Sequence, residues 1–415
     1  MGYTLIYNGT LIDGNGNAPV KDGAVLIEGN KIRAVGPKAD IPVPNADVTM
    51  LDAKGGFILP GFIDAHVHVM VEGYDLNKAL NTPFSFRFYQ VIDRLRRTID
   101  AGVTSVRDAG GADPGVKMAV EQGIIVGPRM QISITGLSIT GGHGDSWRLC
   151  GQTVDDFFMP YPGMPDGICD GVDSVRRKVR EVLRAGAEVI KVHVTGGVMS
   201  PTDRPEFTQF SMEELKVIVE EGKFRGGIKA MAHAQGAEGI NQAIRAGIAS
   251  IEHGILLNDE SIELMLKHGT FLVPTLVAPV AVVEIAEKKG TIAENVLQKA
   301  KESIQTHHAN TAKAYKAGVK IAMGTDTGVG DHGTNLRELG LMCDIGMSPM
   351  EAIVATTKVA AQCLGWDDRL GTLEVGKLAD IVIAAADPLA DIRSLEKTDN
   401  IKVVMKDGRV LKDIR

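Results

Sequence analysis

Two histidines two residues apart, His66 and His68, close the apolar run FILPGFIDAHVHV. Side chains alternate along a strand, so a spacing of two aims both at one face. Three other strand-like runs end on a comparable residue: MAHAQG on His233, SIEHG on His253 and AMGTDTG on Asp326. A fourth is stranger. EVIKVHVTGG (188–197) is short, rich in β-branched residues and closed by Gly196 and Gly197, which reads as a buried parallel strand, yet it carries Lys191. Lysine is almost never buried unless something compensates its charge. Four imidazoles and a carboxylate are the donors that Zn²⁺ or a similar divalent ion takes. Singly, each has an ordinary explanation, a satisfied core histidine or, for Asp326, a helix cap. Together, each near the C-terminal end of a strand, they point to a metal centre.

Something must bring these strand ends together. Seven times a helix-like stretch ends in a glycine followed at once by a strand-like run, at Gly102, Gly123, Gly186, Gly227, Gly247, Gly269 and Gly318. Glycine relieves the left-handed turn that ends a helix, and strands alternating with helices are the βαβ signature. With the first run this makes eight strands, the count of a (β/α)₈ TIM barrel, whose active sites lie at the C-terminal face. The barrel is expected over 58–366. Ser211 and Glu214 form a capping box at the start of one of its helices. A Gly-, Pro- and Asp-rich insertion at 141–172 is too long for an ordinary connector and reads as a lid. Residues 1–57 and 367–415 instead show short strands with Gly, Asn and Asp turns, and are expected to form one small β-sandwich domain from both chain ends.

Composition narrows the partner. The chain has 415 residues, 44% hydrophobic and 23% charged, with a formal net charge of -7. That balance argues against nucleic acid or an anionic membrane surface and favours a small-molecule substrate. No apolar run is long enough to span a membrane and the first residues lack a signal-peptide pattern, so the cytoplasm is expected. Cys150, Cys169, Cys343 and Cys363 are widely spaced, without CxxC, as suits a reducing compartment. His268, His307 and His308 lie in helical text and are expected at the surface, whereas His193 and His332 fit either place.

The ordered set, HVH on strand one, a strand-four lysine, single histidines on strands five and six and an aspartate on strand eight, resembles the amidohydrolase superfamily in its binuclear-metal form. TSVRDAGG, TGGHGD, TGGVMSPTD, IEHG and VVMKDGR are similar to its prolidase and Xaa-Arg/Xaa-Lys dipeptidase branch, which is imidazolonepropionase-like. The likeness covers nearly the whole chain. It implies two divalent metal ions, zinc first among them, and a Lys191 carboxylated by CO₂. A carbamate offers two anionic oxygens to bridge the metals, whereas an ammonium cannot ligate a cation. By the same resemblance His66, His68 and Asp326 hold the more buried metal and His233 and His253 the other. A bridging hydroxide attacks the amide carbonyl, Asp326 moves the proton to the leaving amine, and His143 hydrogen-bonds the carbonyl oxygen.

The implied reaction is hydrolysis of a C–N amide bond, first of Xaa-Pro or related dipeptides and N-acyl amino acids. Relatives carry a tyrosine two residues after the strand-five histidine to help bind a substrate carboxylate; here that residue is Gln235. Arg148, Arg204 or His193 would then supply the cation or donor. Trp147, Phe157, Phe158 and Tyr161 in the insertion could form an apolar lid, which keeps bulky aromatic amides, carbamates or ureas as the alternative, as in ochratoxin- and phenylurea-cleaving relatives. A cyclic-amide hydrolase is less favoured. A deaminase is disfavoured because mononuclear members lack the strand-four lysine, and a non-catalytic scaffold because all six ligand positions are filled. A homo-oligomer is expected.

Overall fold

The sequence reads FILPGFIDAHVHV as one strand, but it is divided at Gly61. Phe57–Pro60 pairs with Ile381–Ala384, while Phe62–Val67 pairs with Val103–Asp108. Gly61 lies so close to Thr104 that a Cβ there would sit 2.2 Å from its hydroxyl oxygen. The structure is a computed structural model describing residues 2–73, 76–148, 150–154, 160–200, 203–290 and 292–415.

The middle of the chain forms two parallel sheets. One has three strands, Phe62–Val67, Val103–Asp108 and Arg129–Ile132. The other has five, in the order Phe271–Val273, Ser250–His253, Ala230–Ala234, Ile190–His193 and Gly136–Leu137. Every residue of these strands except Arg129 is buried, as parallel strands covered on both faces require. Helices intervene between them, for example Val172–Arg184 before Ile190–His193 and Met212–Phe224 before Ala230–Ala234. The capping box at Ser211 is present, with Ser211 Oγ accepting from the Glu214 amide at 3.3 Å.

The eighth expected strand, in VKIAMGTD, is not a continuous strand. It makes two isolated parallel bridges, Leu272 to Ile321 and Val67 to Thr327, so it touches an edge of each sheet. Its middle cannot pair regularly. Asp326 is left-handed (φ 58°), and a Cβ at Gly324 would stand 2.4 Å from Val273.

Strands from both chain ends join one eight-stranded sheet. Its order is Arg409–Asp413, Ile401–Lys406, Ile381–Ala384, Phe57–Pro60, Tyr3–Leu11, Val20–Glu28 and Lys31–Pro37, with Val48–Asp52 also paired to Tyr3–Leu11. Alternation fills both faces: Ile6, Val25 and Ile27 pack with Ile58, Ile383 and Val403, while Leu5, Ala24 and Leu26 pack with Ile41. The insertion makes isolated bridges, Trp147 to Thr153 within it and Ile168 to Ser138 before it.

One buried carboxyl braces the helix beside the strand ends. Glu338 accepts the Leu276 and Val277 amides, both at 2.8 Å, at the start of the helix Val277–Lys289. Burial pushes its pKa up to about 8 from the ordinary 4.5, against the pull of those two amides. The folded chain therefore holds a proton that the unfolded chain releases, and stability falls as pH rises from about 4.5 through about 8. Glu338→Gln is expected to flatten that slope. Urea midpoints at pH 5.5 and 8.5 would check it, and an unchanged slope in the variant would remove Glu338 as its source.

Candidate metal centre

Strand register explains which side chains meet. Lys191 and His193 alternate to one face of Ile190–His193, and His193 lies beside His233, which lies beside Glu252. Glu252 therefore points inward, and simple alternation would turn the next residue, His253, away. It does not turn away, because His253 is left-handed (φ 71°). Asp326 shares that conformation, as does Thr275 (φ 54°), the residue bonded to His253. Such backbone strain, of order 1–3 kcal/mol per residue, concentrates where side chains must be aimed.

All six predicted ligands, His66, His68, Lys191, His233, His253 and Asp326, line one cavity. His143, Arg148, His193 and Gln235 line it too. Arg204 does not; its side chain is exposed. Trp147 is half exposed and also outside the lining, Tyr161 packs against the main core, and Phe157 and Phe158 fall outside the described residues.

The hydrogen bonds fix where the lone pairs point. His66 Nδ1–H donates to Glu252 Oε2 at 2.7 Å and His68 Nδ1–H to the Gly110 carbonyl at 3.0 Å. Each Nε2 is then an acceptor, and these stand 3.5 and 3.2 Å from Asp326 Oδ1. Three acceptors facing one another repel unless a cation lies among them. His253 Nδ1–H donates to Thr275 Oγ1 at 2.7 Å, whose own proton goes to the Pro274 carbonyl, so Nε2 of His253 is an acceptor as well. His233 gives Nε2–H to the Gly196 carbonyl at 3.2 Å, which leaves Nδ1. Donating the second ring nitrogen to a carboxylate, carbonyl or hydroxyl is how metal-bound imidazoles are oriented.

Protonation agrees. Burial, with Lys191 and neighbouring histidines, drives His66 well below its ordinary pKa and His253 to about 3; burial and the surrounding histidines do the same to His233. These rings are neutral and their lone pairs available. Asp326 is held below the usual carboxylate range: burial pushes it up, but the adjacent His68 side chain, with His253 and Lys191, outweighs that. Lys191 is pushed down to about 8, chiefly by burial.

Two groups supporting the candidate ligands, Glu252 and Arg107, are not singled out in the sequence, and a third, His307, is expected elsewhere. Glu252, fully buried, is tied to Arg107 at 2.9 Å and to Ser250 at 2.5 Å as well as to His66. Arg107, also buried, donates to the Ala65 carbonyl at 2.7 Å. Their signal was available as two charges inside strand text, VTSVRD and SIEH. His307, expected at the surface, is instead fully buried in the cavity lining, its Nε2–H donating to the His253 carbonyl at 2.9 Å. His268 is exposed and His308 half-buried. His332 is buried against the Val71 carbonyl.

His143 faces the candidate ligands from the loop side. Its Nδ1 is 3.0 Å from Asp203 Oδ2, and its ring stacks on His233 with centroids 4.2 Å apart. A Cβ at Gly197 would meet the His143 and His233 rings at 2.5 and 2.9 Å, so only glycine fits beneath the pair.

The amidohydrolase family model matches residues 57–411. The chain belongs to the amidohydrolase family. It is 37% identical to an ochratoxinase of Aspergillus niger over 99% of this chain and 86% of that protein. Among solved structures it is similar to a Xaa-Pro dipeptidase with bound methionine in the active site, at a TM-score of 0.90 and 35% identity, covering 99% of this chain and 100% of the other. It is also similar to a prolidase complexed with N-methylphosphonate-L-proline, at a TM-score of 0.90 and 33% identity, over 99% and 100%. The protein is thus a hydrolase acting on C–N bonds, in a family that generally uses divalent metals, with His66, His68 and Asp326 as a candidate metal site. Among the described residues no helix is long and apolar enough to cross a membrane.

Proposed function

We propose that the chain is a (β/α)₈-barrel metallohydrolase that cleaves N-acyl amino acids and dipeptides, Xaa-Pro among them, with zinc as its first metal and Lys191 carboxylated. The observation that carries this is the meeting of four acceptor imidazole nitrogens, Asp326 and buried Lys191 in one cavity. The cavity also holds Arg148, a cation of the kind that binds a carboxylate. The two parallel sheets bridged by 321–327 are read as the barrel, 1–57 and 367–415 as its composite sandwich, and a cytoplasmic homo-oligomer as its form.

His66, His68 and Asp326 would hold one cation and His233 and His253 the other, with Lys191 between. Two such cations, when bound, supply an activated water and draw charge from the substrate carbonyl. The chain's own residues do the rest. Asp326, ionised and at the cavity, takes the proton of the attacking water and returns it to the leaving amine. His143 gives Nδ1–H to Asp203, which fixes the ring in the cavity lining for its role at the carbonyl oxygen. Asp203 is suited to this: burial pushes its pKa up, but the bond and charge of His143 hold it below the usual carboxylate range.

A second reading, hydrolysis of bulky aromatic amides, carbamates or ureas, is favoured by the apolar wall of Val198, Met199, Ile255, Pro279, Val282 and Val329 and by the ochratoxinase similarity. Amine release from a library of Xaa-Yaa dipeptides and N-acyl amino acids separates the two, using zinc-reconstituted protein with bicarbonate. Turnover of one C-terminal class is expected. Silence across the library with two metals bound would reject the first reading and send the search to aromatic amides, carbamates and ureas.

A further inference from the structure

The helix Glu294–Ala317 makes polar contacts with two loops of the centre. Its buried residues Val296, Ala300, Ser303, His307, Thr311 and Ala314 recur every three or four positions, which makes one seam. At one end of the row, His307 donates to the His253 carbonyl and Asn310 Nδ2 to the Ile255 carbonyl at 2.8 Å. At the other end Lys299 Nζ donates to three carbonyls, Gly197 at 2.8 Å, Ser200 at 2.6 Å and Asp203 at 3.1 Å. An ammonium has three protons, and all three are used. Val296 and Ala300 pack with Val198, Ile255, Val282 and Val329, so the lysine stem leaves a fixed base.

The consequence lies one bond further on. Asp203 Oδ1 accepts the Gly197 amide at 3.2 Å while Oδ2 holds His143. Gly197 and Asp203, the two ends of the first of these bonds, both give their carbonyls to Lys299. We propose that Lys299 is a positioning residue for His143, setting the Asp203 carboxylate through the loop backbone and referencing it to the strand end that carries His253. Lysine suits the task because a flexible stem brings a compact charge with three donors to three separate carbonyls.

The proposal rests on the role given to His143 above, and its test includes a reading that needs no turnover. In full-length, zinc-loaded protein with ¹⁵N-labelled histidine, the Nδ1–H resonance of His143 is identified by its loss in His143→Gln. Lys299→Met, which keeps the stem and removes the donors, is expected to shift or broaden that resonance and leave the His66 Nδ1–H resonance in place. On whichever substrate the library yields, kcat is expected to fall about tenfold with KM little changed, the scale of a small misplacement of a reacting group. In an Asp203→Asn background the same substitution is expected to add little. An unmoved His143 resonance, or an equal loss of activity in that background, would overturn the proposal. If Lys299→Met does not fold, Lys299→Arg gives the same two-way reading, because a planar fork cannot meet the three carbonyls as the ammonium does.

Discussion

Lys191→Ala is expected to lower kcat/KM at least about a thousandfold, or roughly 4 kcal/mol of barrier, while the protein still folds. Lys191 is 2% exposed, in the middle of a sheet, beside Gly136 and Met231. As an ammonium it would repel the cations that the surrounding nitrogens attract. Burial brings its pKa down to about 8, so a larger neutral fraction than usual exists near neutral pH. A neutral amine adds CO₂ and releases one proton, which exchanges a buried cation for an anion with two ligating oxygens. Alanine removes that anion and leaves room for a small one. Formate or acetate should therefore restore part of the activity of Lys191→Ala, and neither should help Lys191→Arg, which fills the space with a permanent charge. Metal content and turnover of the three proteins, with and without added carboxylate, decide the matter. A Lys191→Ala protein that keeps two metals and acts within tenfold of the parent would show that Lys191 is not a ligand.

The candidate ligands were legible because their surroundings are extreme. A lysine or a lone histidine in β-branched text that ends at a loop has few structural excuses, so Lys191, His233 and His253 announced themselves. The support for them was harder to read. Arg107 and Glu252 meet across strands 145 positions apart, and a linear pattern says nothing of which strand ends face each other. His307 is expected at the surface although its place in a row of three- and four-residue spacing with Val296, Ala300 and Ala314 is readable; a polar residue in such a row can be buried when a carbonyl waits for it, and the His253 carbonyl does. Arg204 illustrates the opposite limit, since the direction of a side chain on a glycine-rich loop depends on turns that composition leaves open. The eighth expected strand lacks regular pairing for a reason of backbone geometry. The left-handed turn that aims Asp326 at His66 and His68 is incompatible with an extended ladder.

The same economy of buried charge makes Arg107 the residue whose loss should damage stability most. Its guanidinium is fully enclosed, and it bonds Glu252 Oε1 at 2.9 Å, the Ala65 carbonyl at 2.7 Å and Ser250 Oγ at 3.1 Å. Arg107→Met keeps most of the volume but leaves the Glu252 carboxylate buried without its cation, a change that costs about 3–5 kcal/mol when a buried pair is broken from one side. Arg107→Met with Glu252→Gln removes both charges, and should recover much of that loss, because the net worth of a buried pair over a neutral replacement is small. The double variant should not recover the metal. Glu252 Oε2 orients His66 through Nδ1, and weakening such a partner typically costs 10–100-fold in metal affinity or activity. Stability from urea unfolding and zinc affinity from chelator competition should therefore separate. Urea unfolding would show the single variant worse than the double, while zinc binding would stay impaired in the double. Equal stability of the two variants would mean that the ion pair is not what holds Arg107 in place, and undiminished zinc binding in the double would mean that His66 is oriented by its strand alone.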